Sequence, residues 1–466
     1  MVFSSLVFIF VYLVAVLAIY YISPLKVRNV FLLILNLIFY GWGEPIYVFL
    51  MLLSITVSYI FGLLVAKYRE DEKRARRYLT ASIVIHLSLL FFFKYFDFLI
   101  GNLALIPIFS GLKPIGLALP IGISFYTFQS MSYVIDVYRR DTEAQPNFAA
   151  FGTYVSLYPQ LIAGPIVRYK DVADQMITRE HSVAKFSSGV QRFVIGLCKK
   201  VLLANSIGKL WDVYAVAGAG ELSVFGAWLG TIAFTFQIYF DFAGYSDMAI
   251  GLGRMLGFEF LENFNYPYIS RSITEFWRRW HISLGTWFRE YVYIPLGGNR
   301  CSTARNVLNI FIVWMLTGIW HGAAWNFLLW GIYYALLLML EKLVLLKWLK
   351  KAPALLTHIY TMFLVVVGWA IFANEGLGQC GSYLATMFFC GGGPVFLPSD
   401  AYYLANYAVV LILCAVASVP TASTLMKKLP EAVRTVAAPV LIAAGLLLCT
   451  AYLVDATYNP FLYFRF

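Results

Sequence analysis

Long apolar runs, parted by short basic or Gly/Pro-bearing segments, set the pattern of this chain. They recur near 3–22, 29–42, 46–66, 79–98, 117–138, 189–207, 222–243, 306–321, 323–341, 355–374, 401–420 and 434–453. Most come close to the roughly 20 residues that a helix needs to cross about 30 Å of hydrocarbon. Apolar runs of that length predict helices rather than the alternating strands of a membrane barrel. The expected fold is an all-α polytopic membrane protein of eleven or twelve crossings, one integral-membrane domain over residues 1–466. Segments near 148–167 and 262–300 are broken and amphipathic, and should lie shallow or re-enter. Pro120, Gly122, Pro159, Gly164, Pro165, Pro267, Pro295, Gly297 and Gly298 concentrate such breaks between 119 and 300. Broken backbone at membrane depth needs protein or a polar cavity around it, so the middle of the chain is expected to line one. Each break taken singly also fits an ordinary kink.

Composition agrees with the pattern. Hydrophobic residues make up 61% of the chain and charged residues 13%, outside the range of soluble domains. The first apolar run lacks a basic leader and a small-residue cleavage site, so it reads as a retained span. The net charge of +11 is that of basic cytoplasmic loops rather than of a nucleic-acid partner. The richest basic loop, Lys67 to Arg77, should be cytoplasmic, which puts the N-terminus outside after three crossings. Arg139 and Arg140, the stretch Arg254 to Arg305, and Lys347 to Lys351 then fall inside, while the Lys- and Arg-free loop Glu375 to Asp400 falls outside. None of the six cysteines has metal-ligand spacing, and no metal site is expected. Cys380 and Cys390 share a predicted external loop and admit a disulfide.

Candidate chemistry centres on the stretch from Thr274 to Trp330. Of five histidines, His181 sits in a polar loop and reads as solvated, and His86 and His358 read as structural groups in apolar spans. His321 ends a long apolar run from Val307 and meets a helix break, flanked by Trp320 and Gly322. An ionisable group at that depth suggests function, and imidazole suits proton abstraction near neutrality. His281 follows Arg278 and Arg279 in an amphipathic segment and also fits a plain interfacial histidine. Asp241 and Asp247 need basic partners, with Lys199, Lys200 or Arg254 in reach by sequence.

Three strings carry a resemblance: FWRRWHISLGTWFREYVYIPLGGNR (276–300), GIWHGAAWNFLLWG (318–331) and QIYFDFAGYSDMAIGLGRMLGF (237–258). Two more, at 119–139 and 157–169, extend it upstream, so it covers roughly 110–331. In them the chain resembles the membrane-bound O-acyltransferase family, in the branch that O-acetylates bacterial cell-surface polysaccharides such as alginate. The resemblance implies a ring of helices around a thin centre with a tunnel through it, in the bacterial cytoplasmic membrane. It makes His321 the active-site histidine and His281 the second polar position. Acetyl-CoA is the implied donor, its phosphates and chain meeting Arg278, Arg279, Asn299, Trp280 and Trp320. For the arginines, snorkelling to lipid headgroups is an equal reading. Tyr463, in the aromatic tail 459–466, is implied as an acyl relay or, blandly, as part of an interfacial plug. An extracytoplasmic acetyltransferase of the esterase-like SGNH type is the implied partner, delivering acetyl to the polysaccharide. Many relatives carry Arg where this chain has Ala373, so that residue's role does not carry over. D-alanyl transfer to teichoic acid and a non-enzymatic transporter are the competing expectations.

Overall fold

The computed structural model describes residues 2–162, 164–216, 221–455 and 462. Helices account for its regular structure, and no strand occurs among the described residues. The chain divides into two compact units. One is Met1–Phe193 with Tyr245–Leu261, and the other is Val194–Gly244 with Glu262–Phe466.

In the first unit α1 (Phe8–Ile22), α2 (Leu25–Gly43), α3 (Val48–Lys67) and α4 (Glu72–Leu103) follow one another through short turns. The basic loop predicted at 67–77 is mostly helix. Asp71 caps α4 by accepting from Arg74 N at 3.1 Å, so its last residues form the first turn. Next, α5 (Ile123–Arg139) enters from Gly122, whose φ is +76°. A Cβ there would stand 2.5 Å from Leu161 O, so both conformation and space call for glycine. This helix is buried on most faces although it carries Ser, Thr, Gln and Asp. Its buried carboxylate is paired, Asp136 having Lys170 at 3.3 Å. The predicted break at 148–167 is present, with helices Phe148–Ser156 and Tyr158–Leu161 parting at Leu157 ahead of Pro159. Asp247 pairs with Arg192 at 2.6 Å, a partner outside the three expected from sequence.

The second unit carries the site. Two short helices, α6 (Ile273–Arg279) and α7 (Ile282–Phe288), occupy the segment expected to be re-entrant. They are parted at Trp280 and His281, and the second widens into a π turn at Arg289–Tyr293. A hairpin follows, α8 (Thr303–His321) and α9 (Trp325–Leu349), and then α10 (Ala354–Ala373), α11 (Pro398–Ala417) and α12 (Glu431–Asp455). Two glycines let the hairpin close. A Cβ on Gly318 would meet Phe327 O at 2.4 Å, and one on Gly331 would meet Trp314 O at 2.5 Å. In lipid, where apolar surface gains nothing by leaving solvent, small residues that let backbones approach are the main packing device. Lys200 and Asp241, both almost fully buried, form an ion pair, and Leu462 N donates to Asp241 Oδ2 at 2.9 Å. The six cysteines are free thiols, so the Cys380–Cys390 disulfide is not formed. Cys380 is buried on the helix Leu377–Met387, while Cys390 lies exposed beyond its end.

Seven helices among the described residues are long and apolar enough to cross a bilayer, namely α2, α3, α4, α9, α10, α11 and α12. Other predicted crossings are helical but shorter or more polar. The run at 3–22 yields only the short apolar α1, and that at 117–138 yields the 17-residue α5. The chain is an all-α, multi-pass membrane protein.

Candidate active site

The α6–α7 break is built from its ends. At the start of α6, Ser272 Oγ accepts from Glu275 N at 3.0 Å, and Glu275 Oε2 accepts from Arg271 N at 3.0 Å. The remaining free N–H groups of that turn are met by Glu341 of α9. This carboxylate is fully buried, at the head of a π turn in its own helix (Glu341–Leu345). It accepts from Ile273 N at 2.6 Å, Thr274 N at 2.8 Å and Thr274 Oγ1 at 2.6 Å. A buried carboxylate is tolerable here because charged hydrogen bonds and the helix dipole offset its desolvation.

His281 follows α6 with φ +46°, a left-handed position unusual for a side chain this large. Asn263 holds it there. Asn263 Oδ1 is 3.0 Å from His281 Nδ1 and accepts from Ser283 N at 3.3 Å and Ser283 Oγ at 2.9 Å. An atom met by a backbone N–H must be the amide oxygen, so His281 carries its proton on Nδ1. Its Nε2 keeps a lone pair, buried and with no hydrogen-bond partner among the described residues. Burial pushes its pKa well below the ordinary imidazole value, and the neighbouring His321 adds to that shift. His281 is therefore a neutral acceptor.

His321 ends α8 and is buried. Aromatic rings surround it, with Trp320 at 5.2 Å, Trp330 at 5.1 Å and Phe372 at 5.3 Å between centroids. Trp320 also stands 6.0 Å from His281. Asn326 Nδ2 donates to Phe372 O at 2.9 Å, fixing the start of α9 to the end of α10 beside this histidine. Trp277 packs on Trp314 at 4.6 Å and Tyr334 at 4.8 Å, and Trp280 on Trp369 at 4.8 Å.

Both histidines line one cavity of about 600 Å³, within the roughly 300–1,000 Å³ of small-molecule sites. Its wall includes Trp277, Arg278, Trp280, Arg289, Asn299 and Thr317. Asn299 precedes α8 and His321 closes it, and 19 residues of helix span about 28 Å. The side chains of Arg278 and Arg289 make no ion pair or hydrogen bond with the described residues. Trp277 Nε1 is buried without a partner among them.

The structure brings His281, His321, Trp280, Arg278 and Asn299 of the expected set onto this wall. Trp320 packs behind the histidines instead. Arg279 is held by Glu275 at 2.9 Å and by Asn265 O at 3.1 Å, and is absent from the wall. Asn299 belongs to a network at the cavity's polar side, accepting from Tyr293 Oη at 2.7 Å and Lys342 Nζ at 2.8 Å. Tyr463 lies outside the described residues. Sequence reasoning missed Asn263, Trp277 and Glu341 as site-building groups. Glu341 had a signal, an acid inside an apolar run; Asn263 had none.

Residues 138–373 match the profile described as MBOAT, membrane-bound O-acyltransferase family. The chain is 44% identical to the probable alginate O-acetylase AlgI of Azotobacter vinelandii, covering 84% of this chain and 79% of that protein. It is 32% identical to the peptidoglycan O-acetyltransferase of Helicobacter pylori, covering 80% and 77%. Identity to the teichoic acid D-alanyltransferase of Bacillus subtilis is 29%, covering 53% and 65%.

Proposed function

This chain belongs to the membrane-bound O-acyltransferase family and is an O-acyltransferase of the membrane; from that premise we propose that it takes acetyl from cytoplasmic acetyl-CoA for O-acetylation of an extracytoplasmic cell-surface polysaccharide. The carrying observation is one cavity whose wall holds both histidines and two arginines whose side chains pair with none of the described residues. Guanidinium groups suit the phosphates of coenzyme A, and the helical length between Asn299 and His321 lets an extended donor place its thioester among the aromatic rings. His321 takes the proton of the accepting hydroxyl as its oxygen attacks the thioester carbonyl. The C–S bond breaks, and the proton ends on the departing sulfur, giving free coenzyme A. His281 presents a lone pair from Nε2, so it cannot donate to the carbonyl oxygen. The indole N–H of Trp277 is the donor available to that oxygen. Tyr463 serves as the intermediate hydroxyl, and an extracytoplasmic esterase-like acetyltransferase passes the acetyl group to the sugar.

The test uses inverted membrane vesicles containing the full chain, supplied with acetyl-labelled acetyl-CoA or with a D-alanyl-loaded carrier protein. Label that becomes base-labile on the protein from acetyl-CoA alone, and disappears in Tyr463→Phe, supports donor and relay together. Labelling by the carrier instead moves the chain to D-alanyl transfer. Labelling that persists in Tyr463→Phe removes the relay and leaves the donor assignment standing.

A further inference from the structure

Within the first unit, Arg28 and Arg179 gather at the polypeptide turn that joins α1 to α2. The Arg28 guanidinium stands 4.8 Å from the Tyr20 ring centroid, and that of Arg179 stands 5.7 Å from the same centroid and 4.6 Å from Phe258. His181 lies between them. Its Nδ1 is 3.1 Å from Arg179 O, and its Nε2 is 3.3 Å from Arg28 Nη1. With the proton on Nδ1, Nε2 accepts from Arg28. This histidine is half-buried and bonded rather than solvated as its polar loop suggests. Gly257, at φ +85°, brings backbone against it, and Lys185 Nζ donates to Gly257 O at 3.0 Å.

No carboxylate among the described residues forms an ion pair with either guanidinium. The nearest acids by sequence are Glu180, which pairs with neither, and Glu259, which pairs with Lys185 at 3.2 Å. Arg179 spends Nη2 on Asn29 Oδ1 at 2.9 Å, while its Nη1 is buried with no partner among the described residues. Burial lowers the His181 pKa, and the positive charges of Arg28, Arg179 and Lys185 lower it further. Two guanidinium groups without a carboxylate partner suit a phosphate, which they meet with charge-assisted hydrogen bonds. The rim says which kind. Ile22, Leu25, Ile177 and Val183, each within three residues of a member of the cluster, are 84%, 71%, 77% and 88% exposed. Apolar side chains beside cations are the surface of a membrane interface, where acyl chains cover the former and phosphate meets the latter.

We propose that Arg28 and Arg179, with Lys185 beside them, form a binding site for the phosphate of one anionic phospholipid whose chains lie over Ile22, Leu25, Ile177 and Val183. The site is independent of the acyl-transfer cavity, and its test reads binding alone. Delipidated full-length protein in detergent is titrated with phosphatidylglycerol, phosphatidylcholine, inorganic phosphate or coenzyme A, and bound species are counted by native mass spectrometry. The expected result is one phosphatidylglycerol retained about ten- to thirty-fold more tightly than phosphatidylcholine. Arg28→Gln with Arg179→Gln abolishes that preference, while Lys73→Gln with Arg76→Gln on another basic turn leaves it. Equal retention of the two lipids overturns the site, as does an arginine variant that binds like wild type. Displacement of the lipid by millimolar phosphate or coenzyme A overturns its assignment to lipid. Should the double variant fail to fold, the headgroup comparison on wild type still decides.

Discussion

Glu341→Gln is the substitution that most sharply tests how the site is held. The side chain keeps its size and one oxygen. If that oxygen stays with Ile273 N, the new amide nitrogen faces Thr274 N and Thr274 Oγ1, which now meet a donor. The hydroxyl can turn to accept, but the backbone N–H cannot. A buried donor left unmet costs about 1–3 kcal/mol, and the loss of charge adds to it. Glu341→Ala strips both N–H groups and costs more. Unfolding of a polytopic protein is seldom two-state or reversible, so the useful quantity is a rate. The assay follows tryptophan fluorescence of detergent-purified protein at one fixed temperature. About 2 kcal/mol taken from the unfolding barrier speeds inactivation by roughly 30-fold. The expected order is wild type, then Gln, then Ala. If both variants inactivate at the wild-type rate, Glu341 does not hold α6, and the account of how His281 is positioned fails.

Other outcomes follow from the same geometry. Lys200→Met leaves Asp241 buried without its counter-ion, which costs about 3–5 kcal/mol, and adding Asp241→Leu should recover most of the lost thermal stability, read by the same assay. Gly331→Val drives a side chain into Trp314 O and should cut the amount of folded protein recovered from membranes severalfold, while Gly378→Val, where a Cβ meets nothing within 4 Å, should leave it unchanged. Asn263→Ala frees the His281 ring and should lower the transfer rate by about 10- to 100-fold at equal protein level. The folded-state pKa of His281 lies below the unfolded value of about 6.5. The unfolded chain therefore holds the extra proton, so this contribution to stability is complete above that value and is lost as pH falls below it. Inactivation should accelerate between pH 7 and 5 more steeply in wild type than in His281→Asn.

Much of the fold was legible because membrane helices announce themselves by length and apolarity. The runs behind α3, α10, α11 and α12 appear as helices close to their expected bounds. The difficulty came where polar residues are buried by other protein. The helix α5 carries Gln129 and Asp136 inside, and hydropathy alone does not say that such a helix is enclosed. The break at 262–300 was readable from Pro267, Gly297 and Gly298, and the two histidines from their aromatic setting. What the sequence hides is pairing across distance. Asn263 reaches His281 across 18 residues and Glu341 reaches Ile273 across 68, and no local pattern encodes either. Arg278 and Arg279 look alike in sequence. The rotation of about 100° between neighbours on a helix puts the first on the cavity wall and leaves the second to Glu275.

The central claim is that acyl transfer runs through the cavity shared by His281 and His321. It is tested most directly in cells of an acetylating host lacking its own transferase, expressing wild type, His321→Ala or His281→Ala at equal membrane levels. Ester-linked acyl groups are released from the envelope with mild base and identified by mass spectrometry. The account predicts acetate from wild type, none above background from His321→Ala, and a strong reduction from His281→Ala. Envelope acetate unchanged in His321→Ala would contradict it.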